Sequence, residues 1–274
     1  MKKTMTPRVG VALSGGSALG IAHVGILKSL REHHVPIDCI AGTSAGAIVA
    51  ACYAFNVPLD TIVQKARGLS WYAMSKLSFS GMGLVSHAAF GKMINEFLGD
   101  VQIEDAAILL AIIATDVETG ERVVFREGSL TDALMASTCI PGLFVPVEVG
   151  GRLMVDGGLV DNLPISALRE MRAQVMIGVD VNRRISKKRP KNVLDVVVKS
   201  FEIATAYRHP LGEKEILIEP HLEAFSPSDF GKADQLVDAG YRAATLKMRE
   251  IRNLTEKGIS KAGLWKKISS WFRA

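Results

Sequence analysis

Short apolar runs that end on glycine alternate along this chain with longer stretches whose apolar positions recur every three or four residues. That rhythm predicts strands and helices stacked in layers, an α/β fold. Strands are expected at Val9 to Leu13, Ile37 to Ala41, Ala107 to Thr115, Val123 to Phe125, Val145 to Val149, Leu153 to Val155, Val175 to Val181 and Glu215 to Ile218. Helices are expected at Ile21 to His33, Ala45 to Phe55, Leu59 to Lys65, His87 to Leu98, Thr131 to Ser137, Ile165 to Met171, Val193 to Tyr207 and Ala233 to Arg252. Thr115 to Phe125 turns at Glu118-Thr119-Gly120 and Val145 to Val155 turns at Gly150-Gly151, so both read as hairpins and the sheet as mixed. The apolar stretch Trp71 to Val85 reads as a lid over an apolar pocket or as a plain connector.

Val9 to Leu27 is nineteen residues without Asp, Glu, Lys or Arg, and it follows Lys2, Lys3 and Arg8 like a signal peptide or a membrane span. Five glycines and the break at Gly15-Gly16 instead predict strand, turn and buried helix. With 48% apolar and 22% charged residues among 274, the chain fits one large soluble domain or at most two small ones and excludes a disordered or fibrous protein. Cys39, Cys52 and Cys139 are odd in number, widely spaced and set among apolar residues, which predicts buried thiols in a reducing compartment and no disulfide framework or zinc site.

Gly42-Thr43-Ser44-Ala45-Gly46 lies between an expected strand and an expected helix. A strained turn there presents a serine hydroxyl, the glycines let the two backbones approach, and the helix N-terminus sets partial positive charge beside it. Ser14-Gly15-Gly16-Ser17-Ala18-Leu19-Gly20 has the same setting and could aim amides at an anion. Ile21-Ala22 after its last glycine exclude a Walker A loop, and Ser17 breaks the dinucleotide fingerprint. An oxyanion hole beside Ser44 remains. No histidine sits at a glycine-framed turn after a strand, and His23 reads as a structural side chain on an apolar helix face. Asp156, ahead of Gly157-Gly158 at the end of an apolar strand, is either the base that serves Ser44 or a turn-former.

These three blocks in order, with Ala136-Ser137, Pro141-Gly142-Leu143-Phe144 and Val179-Asp180-Val181, resemble the patatin-like phospholipases over nearly the whole chain. The resemblance implies a layered mixed sheet flanked by helices and a serine lipid acyl hydrolase without cofactor or metal. Ser44 would be the nucleophile and Asp156 its partner in a dyad without histidine. Gly15, Gly16 and Ser17 would supply oxyanion-hole amides, with Ala45 beside them and Gly20, Gly42, Gly46, Gly157 and Gly158 as motif glycines. The family loop usually carries glycine at position 17 and Arg or Lys at position 19, where this chain has Ser17 and Leu19. A positive φ at Ser17 would cost about 1 kcal/mol, and Leu19 removes a cation that could meet a phosphate. An acyltransferase, a thioesterase, or a weakly active lipid-binding regulatory protein would use the same scaffold.

The net charge of +5 is concentrated at the end of the chain, where Arg242 to Ala274 hold nine cations and two anions. Leu264, Trp265, Ile268, Trp271 and Phe272 share one helical face, and Lys261, Lys266, Lys267 and Arg273 lie off it. Trp265, Lys266, Lys267, Trp271 and Phe272 thus suggest contact with an anionic membrane surface, the alternative being a helix docked on the body. The organisation expected is a hydrolase domain over 1–255 and a basic amphipathic tail over 256–274, in the cytoplasm or peripheral at the inner face of the membrane. Six cations from Arg183 to Lys191 read as an exposed loop, and nothing resembles a nucleic-acid module.

Overall fold

The computed structural model describes residues 7–68, 76–77, 85–86, 88–182, 189–190, 193–206 and 212–271; the side chains of 76–77, 85, 193–194 and 256–271 are outside that description. Most of Trp71 to Val85 and of Arg183 to Lys191 therefore lies outside the described residues, as do His87 and His209. Ten strands are described: β1 (Val9–Leu13), β2 (Cys39–Thr43), β3 (Lys76–Leu77), β4 (Val85–Ser86), β5 (Leu109–Asp116), β6 (Arg122–Phe125), β7 (Val147–Val149), β8 (Arg152–Asp156), β9 (Val175–Val179) and β10 (Glu215–Ile218). The helices are α1 (Ala22–Glu32), α2 (Ala45–Ala54), α3 (Leu59–Arg67), α4 (Ala88–Leu98), α5 (Leu130–Ser137), the single turn α6 (Gly158–Asp161), α7 (Ile165–Glu170), α8 (Val193–Thr205) and α9 (Ala233–Trp271).

The main sheet runs β10-β9-β1-β2-β5-β8-β7, with β6 also on β5. The first five are mutually parallel; β5-β6 and β7-β8 are the two expected hairpins, and β8 pairs antiparallel with the other side of β5. Gly120, Gly150 and Gly151 have φ of 73°, 59° and 74° at the turns. β3 and β4 form a separate ladder. Along β1 the side chains alternate: Val9, Val11 and Leu13 enter the large core beneath α1, α2 and α9, and Ala12 enters a smaller one with Ile165 and Leu168 of α7. Helices covering both faces explain why the parallel strands are continuously apolar.

Several boundaries move for physical reasons. β2 starts two residues later than expected because its register pairs Gly10 with Cys39. β7 starts after Pro146, which has no N–H for the ladder. Helix α9 crosses residues 255–256 without a break, where the sequence suggested a tail; no proline interrupts it. The Val9 to Leu27 run folds as strand, a turn of 3₁₀-helix (Ser17–Ile21) and buried helix, and no described helix is long and apolar enough to cross a membrane. All three cysteines are free and buried, and burial pushes the thiols up to about 11 for Cys39 and about 12 for Cys52 and Cys139.

Helix α9 lies against α1 through glycine. A Cβ on Gly25 would sit 1.9 Å from the Val237 carbonyl oxygen, and one on Gly240 would sit 2.0 Å from that of Ala22. Gly240→Ala is therefore expected to lower stability by about 2 kcal/mol as the helices are driven apart. Gly128→Ala meets nothing within 4 Å and carries only the strain of φ 90°, about 1 kcal/mol. Urea unfolding of the two variants checks the order.

Candidate active site

Strands β1 and β2 run parallel with Leu13 beside Gly42, so the loops that follow them leave the same end of the sheet. What brings those loops into contact is Gly46. Its Cβ would lie 2.3 Å from the Leu13 carbonyl oxygen and 2.5 Å from that of Ser14, so no larger residue fits between β1 and α2. Gly42 likewise packs on the backbone of Ala47. Between them Ser44 takes φ 54° and ψ −125°, a conformation that L residues avoid, and it stands at the head of α2. Its amide donates to Ser137 Oγ at 2.9 Å, and its residue is 7% exposed. This is the strained elbow expected from the pentapeptide.

Asp156 ends β8 opposite Ala114, and Gly157 behind it packs so closely on β5 that a Cβ would meet the Ile113 oxygen at 2.3 Å. Backbone bonds fix the aspartate: its amide donates to the Cys139 carbonyl at 2.8 Å, and Thr115 Oγ1 donates to its carbonyl at 2.9 Å. The Gly158 amide donates to Oδ1 at 2.8 Å, whereas Oδ2 is buried without a hydrogen bond of normal geometry. Complete burial raises the carboxyl to about 7; the nearby Ser44 hydroxyl and the Gly158 amide act in the opposite direction and recover only part of the shift. The Ser44 hydroxyl is thus near enough to the carboxyl to influence its acidity.

The glycine loop lies on the other side. Gly15 donates its amide to Asn162, whose carbonyl and side-chain oxygens lie 3.2 and 3.1 Å away. That amide is engaged, which narrows the expected set of anion donors to Gly16 and Ser17; neither of their amides has a partner among the described residues. Ser17 does take a positive φ, 52°. Gly20 packs on Ala45, its Cβ position 2.6 Å from the alanine's own. Ser14 Oγ accepts from the Val181 amide at 3.0 Å, and His23 Nε2–H donates to the Ser14 carbonyl at 2.8 Å. Burial lowers His23 to about 4, partly offset by that bond, so it is neutral and structural as expected. Leu19 is buried in the main core.

An apolar cavity of about 210 Å³ is lined by Ser44 together with Ala45, Ile48, Phe90, Ile94, Phe97 and Phe230. No described histidine lines it; His221 is exposed beside Glu223. Among the described residues no group of three His, Cys, Asp or Glu could hold a metal ion. The arrangement can accept an apolar chain, attack a carbonyl from Ser44 and receive a proton on Asp156. Asn162 and Pro227 belong to no sequence motif, and Ser137 stands in one without an expected role. Asn162 had one local signal, an amide residue closing a helical turn just before Leu163-Pro164. The side chains of Trp265, Lys266, Lys267 and Trp271, and all of Phe272, lie outside the described residues.

A family model described as patatin-like phospholipase matches residues 11–169. An uncharacterized NTE family protein of Mycobacterium bovis is 36% identical over 185 residues, which cover 66% of this chain and 51% of that protein. Patatin-like phospholipase domain-containing protein 6 of Mus musculus is 28% identical over 85% of this chain and 20% of its own length. Lysophospholipase NTE1 of Scheffersomyces stipitis is 25% identical over 95% and 20%. The chain thus spans about half the length of the mycobacterial relative and a fifth of the other two. Among solved structures, VipD from Legionella pneumophila superposes with a TM-score of 0.57 at 14% identity, over 90% of this chain and 67% of that one, a likeness of fold.

The raised Asp156 carboxyl makes stability depend on pH. Between its ordinary 3.8 and about 7 the native state keeps a proton that the unfolded chain releases. The group therefore lowers stability as pH rises through that window, and the loss is complete above it. Asp156→Asn removes the effect: relative to the parent, the variant should gain about 2 kcal/mol between pH 5 and pH 8. Urea unfolding at the two pH values checks this, and an equal difference at both would contradict the raised carboxyl.

Proposed function

The chain belongs to the patatin-like phospholipase family, and from that premise we propose that it is a serine lipid acyl hydrolase working through Ser44 and Asp156. The reading rests on one juxtaposition: a strained, nearly buried serine in the lining of an apolar cavity beside a buried carboxylate that is raised to about 7 and lacks a partner on Oδ2. A carboxylate of ordinary acidity is a weak base at neutral pH; one raised to about 7 is matched to the task.

In the first half-reaction the acyl chain occupies the cavity and its ester carbonyl lies over Ser44. Asp156 Oδ2 takes the hydroxyl proton as Oγ bonds to the carbonyl carbon, and the Gly16 and Ser17 amides receive the oxyanion. The tetrahedral species collapses, the alcohol leaves with the proton from Asp156, and the acyl group remains on Ser44. Water then attacks this ester, Asp156 takes its proton, and the fatty acid departs as the proton returns to Ser44. The positive end of α2 stabilises negative charge throughout. Lysophospholipase NTE1 carries its activity in its name, which favours single-chain glycerophospholipids as substrates, and the apolar cavity beside Ser44 suits an acyl chain.

A fluorophosphonate probe should label the wild type and not Ser44→Ala, and hydrolysis of a short aryl ester and of a lysophospholipid should fall by about 10³-fold or more in that variant. Since the base must be ionised, kcat/KM should rise with pH along a one-proton limb centred near 7. Retained turnover in Ser44→Ala would sink the mechanism, and a limb near 4 would remove the tuned base.

A further inference from the structure

We propose that the Ser17 hydroxyl is a positioning residue: by binding the Pro227 carbonyl it holds the glycine loop in the form that receives the oxyanion. The proposal rests on the reading of the Gly16 and Ser17 amides as oxyanion donors.

A serine at φ 52° is held against its own preference, because its Cβ crowds the following carbonyl. Glycine would sit there freely. Something must therefore hold the serine, and the structure supplies it from far along the chain. Ser17 Oγ donates to the Pro227 carbonyl oxygen at 2.8 Å, and the next amide, Ala18 N–H, donates to the same oxygen at 3.1 Å. The two bonds grip the loop from one side. On the other, Gly15 is tied to Asn162. Between these anchors the Gly16 and Ser17 amides have no partner among the described residues.

The acceptor is itself organised. Asp229 accepts from the Ser226 amide and from Lys232 Nζ, both at 2.9 Å, and its amide donates back to the Ser226 carbonyl at 2.9 Å. Lys232 also stands 5.6 Å above the Phe225 ring. These contacts close a compact turn that fixes where the Pro227 oxygen points, and Phe230 at its end lines the cavity. The turn between β10 and α9 thus serves as an outer brace for the loop.

The experiment compares kcat and KM of wild type, Ser17→Ala and Ser17→Gly on a short aryl ester that is cleaved by wild type and not by Ser44→Ala. Ser17→Ala, with the strain and without the tether, should lower kcat about ten-fold at nearly unchanged KM. Ser17→Gly, without either, should exceed Ser17→Ala in kcat by about five-fold. Asp229→Ala, which loosens the turn, should lower kcat in the wild-type background and have less effect in Ser17→Gly, a coupling that mere loss of stability would not give. Wild-type kcat in Ser17→Ala, or equal impairment in the alanine and glycine variants, would overturn this proposal alone. Absence of any Ser44-dependent turnover in the wild type would overturn the catalytic reading and the proposal with it.

Discussion

A carboxylate shut away from water with one oxygen unsatisfied is the constraint around which this molecule is arranged. Asp156 is fully buried, and only the Gly158 amide and the neighbouring serine offset the loss of hydration. Such a group persists because backbone on every side over-determines it. Thr115 and Cys139 hold its main chain, and Gly157 lets it approach β5 more closely than any residue with a Cβ could. Burial that raises this carboxyl to about 7 lowers stability at neutral pH.

The same logic of close backbone approach builds the rest of the site. Gly46 presses the start of α2 onto the end of β1, and the strain at Ser44 follows from that contact. Three separate chain crossings therefore meet within one small volume at the carboxyl end of the parallel strands. The large core beneath α1, α2 and α9 gives this region a stiff support, and the cavity is a gap left in that core next to the serine.

This also explains how much could be read from the sequence. β1 and β10 match residue for residue, and both hairpins were visible, because short apolar runs and turn glycines are local signals. Ser44 and Asp156 were legible because the glycines that let their loops pack closely on β1 and β5 are their sequence neighbours. The partners of the glycine loop were not, since Asn162 and Pro227 lie 147 and 210 residues from the groups they bind. No period or motif encodes a contact at such separation. Single helical turns such as α6 are too short to show a period, and α9 continues past its expected end at Arg252, where the apolar stripe thins although nothing stops the helix.

The three thiols carry a consequence for experiment. At a pH near 8 each holds its proton almost completely, since burial raises all of them to about 11 or 12. An alkylating reagent needs the thiolate and a path to it, so the folded protein is silent toward it. Cys39 sits in the core on the α7 side of the sheet, Cys52 in the cavity wall and Cys139 with Ile140 and Phe144 in a third cluster. Their separate alkylation rates are three clocks, each timing the opening of a different region of the fold.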